Sequence, residues 1–423
     1  MKAEVILGLS FGDEGKGIAT DYFSQQHKDS LIIRFNGGQQ AGHGVVDSNG
    51  HRHVFANFGS GSLRGVPTYW TKYCTFHPDG FCNERRLLSK AGHNPKVYLD
   101  ALAMVTTPFD IMYNRALELS RNRHGSCGVG FGTTIERNTT PYKLHAQDLL
   151  LTRDMLTRKL DAVHYYYTQK INSSGVQSIV DYWKQYDWAV TIKNYLAVID
   201  EIKDCFEIVS ESVLMPLARN KFSALVFEGA QGIWLDMDFG LFPNVTRSNC
   251  TSKNAIELWN KYFTSPDDEM NINYITRAYL TRHGAGYLPY ENFKQFSVKP
   301  NPKESNVYDD WQQAFRKAPL NFDMINAAIQ FDKNFSGAGA VHGHVRRHLV
   351  VTCLDQLEGN VLAVAGDKMQ WDIDSMEEFM GFVKHRMSNL YLSHSDCSDG
   401  ITCHKIGNGI EGIGLQKKET VLS

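Results

Sequence analysis

The stretch from Val5 to Phe23 constrains this chain more than any other. Val5, Ile6 and Leu7 read as a short buried strand that Gly8 ends, and a helical pattern resumes near Ile18, with Tyr22 and Phe23 one turn on. Between the two lies Gly12-Asp13-Glu14-Gly15-Lys16-Gly17, a turn with two carboxylates and one lysine. Glycines let a backbone approach an anion closely, and a helix N-terminus favours phosphate. Lys16 supplies a point charge there, and Asp13 a magnesium ligand or a base. The loop departs from the usual P-loop, G-x-x-x-x-G-K-[ST], because Gly17 stands where Ser or Thr is needed.

A second block, Arg34-Phe35-Asn36-Gly37-Gly38-Gln39-Gln40-Ala41-Gly42-His43-Gly44, follows the apolar run Leu31–Ile33 and so also sits at a strand's end. Far downstream come Phe227-Glu228-Gly229-Ala230-Gln231-Gly232, then Leu235-Asp236-Met237-Asp238 and Val245-Thr246-Arg247-Ser248-Asn249. These blocks, in this order, resemble the adenylosuccinate synthetase family, and a weaker likeness covers most of the chain. The resemblance implies an α/β fold related to the P-loop NTPases: a largely parallel central sheet flanked by helices, with loop-rich subregions and a site at the strand ends. It also implies a ligase. A nucleoside triphosphate phosphorylates the 6-oxo group of a purine nucleotide, and the amine of aspartate then displaces the phosphate.

Carried over position by position, Asp13 matches the base and magnesium ligand, the Gly42 carbonyl a further magnesium ligand, His43 the general acid and Lys16 a phosphate contact. Gly12, Glu14, Gly15, Gly17 and Ile18 fall in the triphosphate loop. Asn36 to Gln40 and Ala41 would lie along the purine, with Gln40 replacing the family's Asn, and Gln231 and Thr246 match residues that hold the purine nucleotide. Thr352-Cys353-Leu354-Asp355 resembles a Thr-Lys-Leu-Asp run in which the carboxylate of Asp355 would select guanine; GTP is the expected co-substrate, with ATP open. The matching C-terminal loop falls near Ser393-His394-Ser395.

The departures cluster in the amino-acid subsite. In His124–Gly132, Ser126 and Cys127 stand in for two threonines and Val129 for an arginine. Trp311–Pro319 aligns with an arginine-rich loop, yet Phe315 replaces an arginine, Gln313 a small hydroxyl residue, and only Arg316 and Lys317 are basic. Arginine forks grip carboxylates bidentately and lysine does not reproduce that, unless Arg282, Arg346 or Arg347 supplies charge from elsewhere. Family members are homodimers; the arginine that crosses their interface falls near Pro141, with Arg137 and Lys143 close by. Two alternatives stand beside aspartate ligation of IMP. One is the same fold with changed substrates, as in 2-aminoadenylosuccinate synthetases acting on dGMP. The other is a catalytically silent nucleotide-binding paralogue.

At 423 residues and 42% hydrophobic, the chain can bury a large core, and we read it as one domain over 1–423. A formal charge of −2 gives no reason to expect a nucleic-acid or membrane surface, and with no basic-then-apolar start a cytoplasmic protein is expected. The eight scattered cysteines suit reduced thiols. Strand-like runs at Val5–Leu7, Leu31–Ile33, Ala224–Phe227, Tyr274–Leu280 and Leu349–Leu354 alternate with helical stretches such as Thr107–Arg121 and Met155–Lys170, the α/β pattern. Thr264–Met270 and Pro300–Asp310 read as surface loops, and Gly337–Gly343 as a glycine-rich turn. Two further features stand apart. His394, Cys397, Cys403 and His404 form a candidate zinc set, and His342, His344, His348, Arg346 and Arg347 form a segment suited to an anion or to solvent.

Overall fold

The computed structural model describes residues 1–120, 125–302, 304, 306, 308, 311, 314–337, 339, 341–366 and 369–406. Ten strands form its central sheet: β1 (Lys2–Gly8), β2 (Ser30–Arg34), β3 (Thr68–Trp70), β4 (Val97–Asp100), β5 (Glu207–Val209), β6 (Ala224–Gly232), β7 (Glu269–Arg277), β8 (His344–Thr352), β9 (Asn389–Ser393) and β10 (Ile401–Lys405). Their spatial order is β10-β9-β8-β7-β1-β6-β2-β3-β4-β5, parallel throughout except where β10 folds back against β9. The strands β1 and β6, almost wholly buried, lie side by side near the middle, with Val5 opposite Phe227.

Alternation along β1 divides its side chains between two layers. Val5 and Leu7 enter a core shared with the helices Glu211–Lys221, Lys253–Tyr262 and Phe322–Phe335. Ile6 faces the other way and meets Ala19 and Phe23 of α1 (Lys16–Gln25). A third apolar cluster packs α2 (Pro78–Lys90) and α3 (Pro108–Ser120) with the helices at Arg153–Ser173, Gln177–Lys184 and Trp188–Ile202, beyond β3 and β4. The glycine-rich blocks therefore follow the C-terminal ends of β1, β2 and β6, three adjacent strands in the middle of the sheet. Among the described residues, no helix is long and apolar enough to cross a membrane.

The apolar runs at Val5, Leu31, Ala224 and Leu349 are strands, and the two helical stretches fall at Pro108–Ser120 and Arg153–Ser173. Three boundaries differ from expectation. The run Tyr274–Leu280 is not one strand: β7 ends at Arg277, and Leu280–His283 is a separate strand paired antiparallel with Phe315–Ala318. β8 stops at Thr352 because Cys353 turns left-handed, at φ 60°. Thr264–Met270 is not wholly a surface loop, since Asp268 is buried, accepting from Ser265 N and pairing with Arg219 at 2.6 Å. Parts of Pro300–Asp310 and of the Gly337–Gly343 turn lie outside the described residues.

Candidate active site

Gly12–Gly17 leaves β1 and enters α1 through Gly15, whose φ of 90° suits glycine alone. Glu14 is fully buried and acts as the loop's internal strut. Its Oε1 accepts from Ser10 N, Ser10 Oγ and Gly12 N at 2.8–2.9 Å, and its Oε2 takes Lys16 Nζ at 2.8 Å. Burial works against its charge, but Lys16 and these donors prevail and hold the carboxyl below its usual range. The strut needs the glycines on either side: a Cβ at Gly8 would stand 2.3 Å from Glu14 Oε2, and one at Gly232 2.7 Å from Oε1. Lys16 is itself buried and also donates to the Gly12 carbonyl. From β8, Thr352 Oγ1 donates to the Glu14 carbonyl at 2.7 Å.

The second loop is stitched to the third block. Asn36, expected along the purine, is fully buried and spends its amide on backbone: Nδ2 donates to Ala230 O and Asn249 O, and Oδ1 accepts from Ala230 N at 2.7 Å. At the loop's far end His43 Nδ1 lies 2.5 Å from Glu228 Oε1. Glu228 is fully buried and also accepts from the amide and hydroxyl of Ser60. Burial pushes the His43 imidazole below its ordinary range against the pull of Glu228, and the Glu228 carboxyl, though buried, is held low by His43 and Arg34. Both directions describe a neutral imidazole donating Nδ1–H to a carboxylate, which fixes the ring and leaves Nε2 for a ligand.

Both loops open on one cleft of about 850 Å³. Asp13, Gln40, Ala41, Gly42, His43, Cys127, Gln231 and Thr246 all line it. The side-chain oxygen and nitrogen of Gln40 are buried with no partner, and Gln231 holds φ 62°, a conformation a non-glycine residue adopts at a cost of about 1–3 kcal/mol. Burial pushes the Asp13 carboxyl above its ordinary range against the pull of His283, Arg277 and Lys16. His283 Nε2 stands 3.9 Å from Asp13 Oδ2, and Arg277 donates to the Asp13 carbonyl. The sequence motifs do not single out Glu228, Arg277 or His283 as site residues. Glu228 lies inside the Phe227–Gly232 block, while Arg277 ends β7 and His283 follows it, and only the fold reveals the contact of β7 with β1.

Of the residues expected at the amino-acid and triphosphate subsites, Cys127 and Gly12 line the cleft and several others do not. Arg316 pairs with Glu291 at 2.7 Å and donates to the carbonyls of Gly284 and Gly286, and the Lys317 ammonium lies over the Tyr279 and Phe315 rings; neither lines the cleft. Phe315 packs on His283 with ring centres 4.8 Å apart, and Gln313 lies outside the described residues. Gly128, beside Val129, abuts Trp311. Among described residues the arginines of the cleft are Arg247, paired with Glu136 at 2.9 Å, and Arg282, which lies over Phe11 and donates to Tyr287 O and Asn244 O. Arg346 and Arg347 are at the opposite end of β8. Arg137 is spent on Asp110 and the carbonyls of Tyr142 and Val105. Cys353, Leu354 and Asp355 follow β8 beside the Thr352–Glu14 contact, with Asp355 exposed. No three His, Cys, Asp or Glu side chains among the described residues converge as a metal-ligand set, the candidate zinc residues included.

Residues 5–317 match the family model of adenylosuccinate synthetase. The chain is 32% identical over 294 residues to the adenylosuccinate synthetase of Buchnera aphidicola, an alignment covering 68% of this chain and 65% of that one. With the Thermoplasma volcanium synthetase it shares 29% over 341 residues, 78% and 73% of the two chains. The fold matches the fully ligated Plasmodium falciparum adenylosuccinate synthetase at a TM-score of 0.68 and 16% identity, over 95% of this chain and 99% of that one. It matches a cyanophage succinoaminodeoxyadenylate synthetase, bound to dGMP and dATP, at 0.59 and 12%, over 95% of each.

Proposed function

The chain belongs to the adenylosuccinate synthetase family, and on that premise we propose that its cleft ligates an amino acid to a purine nucleotide at the expense of a nucleoside triphosphate. In its fullest form the reading is IMP, L-aspartate and GTP giving adenylosuccinate, GDP and phosphate. The observation that carries it is the meeting, in one cleft, of the Asp13 carboxyl, the Glu228-oriented His43 and the unpartnered amide of Gln40. Asp13, whose basicity burial raises, suits a base that takes the purine N1 proton, so that O6 attacks the γ-phosphorus and the nucleoside diphosphate leaves. His43 Nε2, aimed by Glu228, serves the transferring phosphoryl group, whose negative charge favours its protonated form. In the second step the amine nitrogen attacks C6 and inorganic phosphate departs with the O6 oxygen. Gln40, Gln231 and Thr246 hold the nucleotide.

Asp13 and the Gly42 carbonyl suit magnesium. That ion takes one or two carboxylates and fills the rest of its shell with phosphate oxygens and water, and the nearest ion-pair partner of Asp13 is His283, at 3.9 Å. When bound, it neutralises charge on the phosphate oxygens.

A second reading concerns the amine. With Val129 and Phe315 in place of arginines and Arg316 engaged by Glu291, the carboxylate forks of an aspartate site are depleted, which favours a smaller or less acidic donor. Phosphate release from GTP or ATP, with IMP or dGMP and a panel of amino acids, tests both readings. Asp13→Ala and His43→Ala should each lower turnover at least about 10²-fold. If both variants, confirmed folded, keep wild-type turnover, the proposal fails.

A further inference from the structure

The segment His342–His348 is the sequence feature that the cleft leaves unused, and the fold gives it a cavity of its own. Lys333 on the helix Phe322–Phe335, Val345, Arg346 and Arg347 at the start of β8, and Arg386 and Ser388 just before β9 line a hollow of about 320 Å³. It lies at the N-terminal edge of the sheet, about 20 Å along β8 from the Thr352 end that touches the catalytic loop.

Four of its six lining residues are cations, on a chain whose formal charge is −2, so the concentration is local. Two carboxylates among the described residues are near. Glu269 pairs with Arg346 at 2.5 Å, on the rim. Asp332 is fully buried behind Arg347 and is occupied by the Ser252 amide and hydroxyl and the Tyr274 hydroxyl. Arg347 is set into the wall: its side chain reaches the Tyr274 hydroxyl, its Nε is buried without a partner, and its carbonyl accepts from Ser388 N at 2.7 Å. Like charges held this close repel, and the one rim carboxylate among the described residues, Glu269, is engaged by Arg346, while the buried Nε of Arg347 has no partner. Guanidinium forks, an ammonium and a hydroxyl around a small hollow are the donor set that phosphate oxygens take.

We propose that this hollow binds a small phosphorylated anion, at a site separate from the catalytic cleft. Its size suits pyrophosphate or the phosphate tail of a nucleotide rather than a polymer. Calorimetric titration of the full chain with inorganic pyrophosphate, and then with ATP and GTP, all without divalent metal, tests it. We expect a pyrophosphate site that His43→Ala retains and that R346Q/R386Q weakens at least tenfold. Binding by pyrophosphate alone assigns the site to an inorganic anion, and competition by ATP or GTP assigns it to a nucleotide. Unchanged pyrophosphate binding in a folded R346Q/R386Q protein overturns the proposal. So does binding of an oligonucleotide, but of no small anion, that this variant loses. Should the double variant not fold, R386Q alone, at an exposed position, is expected to weaken pyrophosphate at least threefold, and no change there overturns the proposal equally.

Discussion

Acidification should loosen α2 through His77. This residue is buried at the helix N-terminus, and its Nδ1 accepts from Gly80 N at 2.8 Å, a role only the neutral ring can fill. Burial, with Arg115 nearby, pushes its pKa from 6.5 down to about 4. As pH falls below 6.5 the unfolded or locally opened segment takes up a proton first. The contribution of His77 is therefore complete above pH 6.5, declines as pH drops toward 4, and is constant below that. Between pH 7 and 4.5 the loss is about 2–3 kcal/mol, or some 30- to 150-fold in an opening equilibrium. Gly80 abuts Gln39, so the wall behind the His43 loop yields with the helix. Hydrogen exchange of a peptide covering 76–90, corrected for intrinsic rate, should lose that protection in the wild type. His77→Asn keeps a capping acceptor that does not titrate, and should lose much less. Equal losses in the two proteins would refute a buried neutral His77.

Four further outcomes are expected. Glu228→Gln should lower kcat at least about tenfold with little change in nucleotide KM, because it removes the carboxylate that orients His43; steady-state kinetics showing an effect on KM alone would argue against a positioning role. Glu14→Gln should destabilise the protein by about 3–5 kcal/mol by leaving the Lys16 ammonium buried without its counter-charge, seen as a lower thermal midpoint; an unchanged midpoint would mean that Lys16 finds solvent. Val129→Arg should improve aspartate use more than that of any other amine, by about tenfold or more for one restored charged hydrogen bond, and saturating aspartate kinetics at low concentration in the wild type would remove the reason for it. Light scattering should find a dimer at working concentrations, and a monomer throughout would reject it.

The elements legible in the sequence were those whose physics is local. Four apolar runs become strands because each is buried on both faces, and the glycine loops declare themselves by residues that few other contexts tolerate. What stayed hidden depends on pairing across the chain. The Glu228 carboxylate meets His43 only because β6 lies between β1 and β2, and the amide of Asn36 is spent 194 residues away. His283 approaches Asp13 because β7 is the other neighbour of β1. Glu14, a loop charge when read along the chain, is an internal strut because Gly8 and Gly232 leave room for it. No periodicity in the sequence carries those distances.

The position of β1 also sets a timetable for synthesis. It is made long before its partners β6 and β7, which span 224–232 and 269–277. At about 5–20 residues per second a ribosome needs on the order of 15–50 s to supply them. For that interval an apolar strand end is unpaired outside the exit tunnel, where a nascent-chain chaperone has time to engage it. Truncations ending before residue 277 leave β1 without a complete neighbour on one side, so they should accumulate as aggregates, not as a small catalytic fragment.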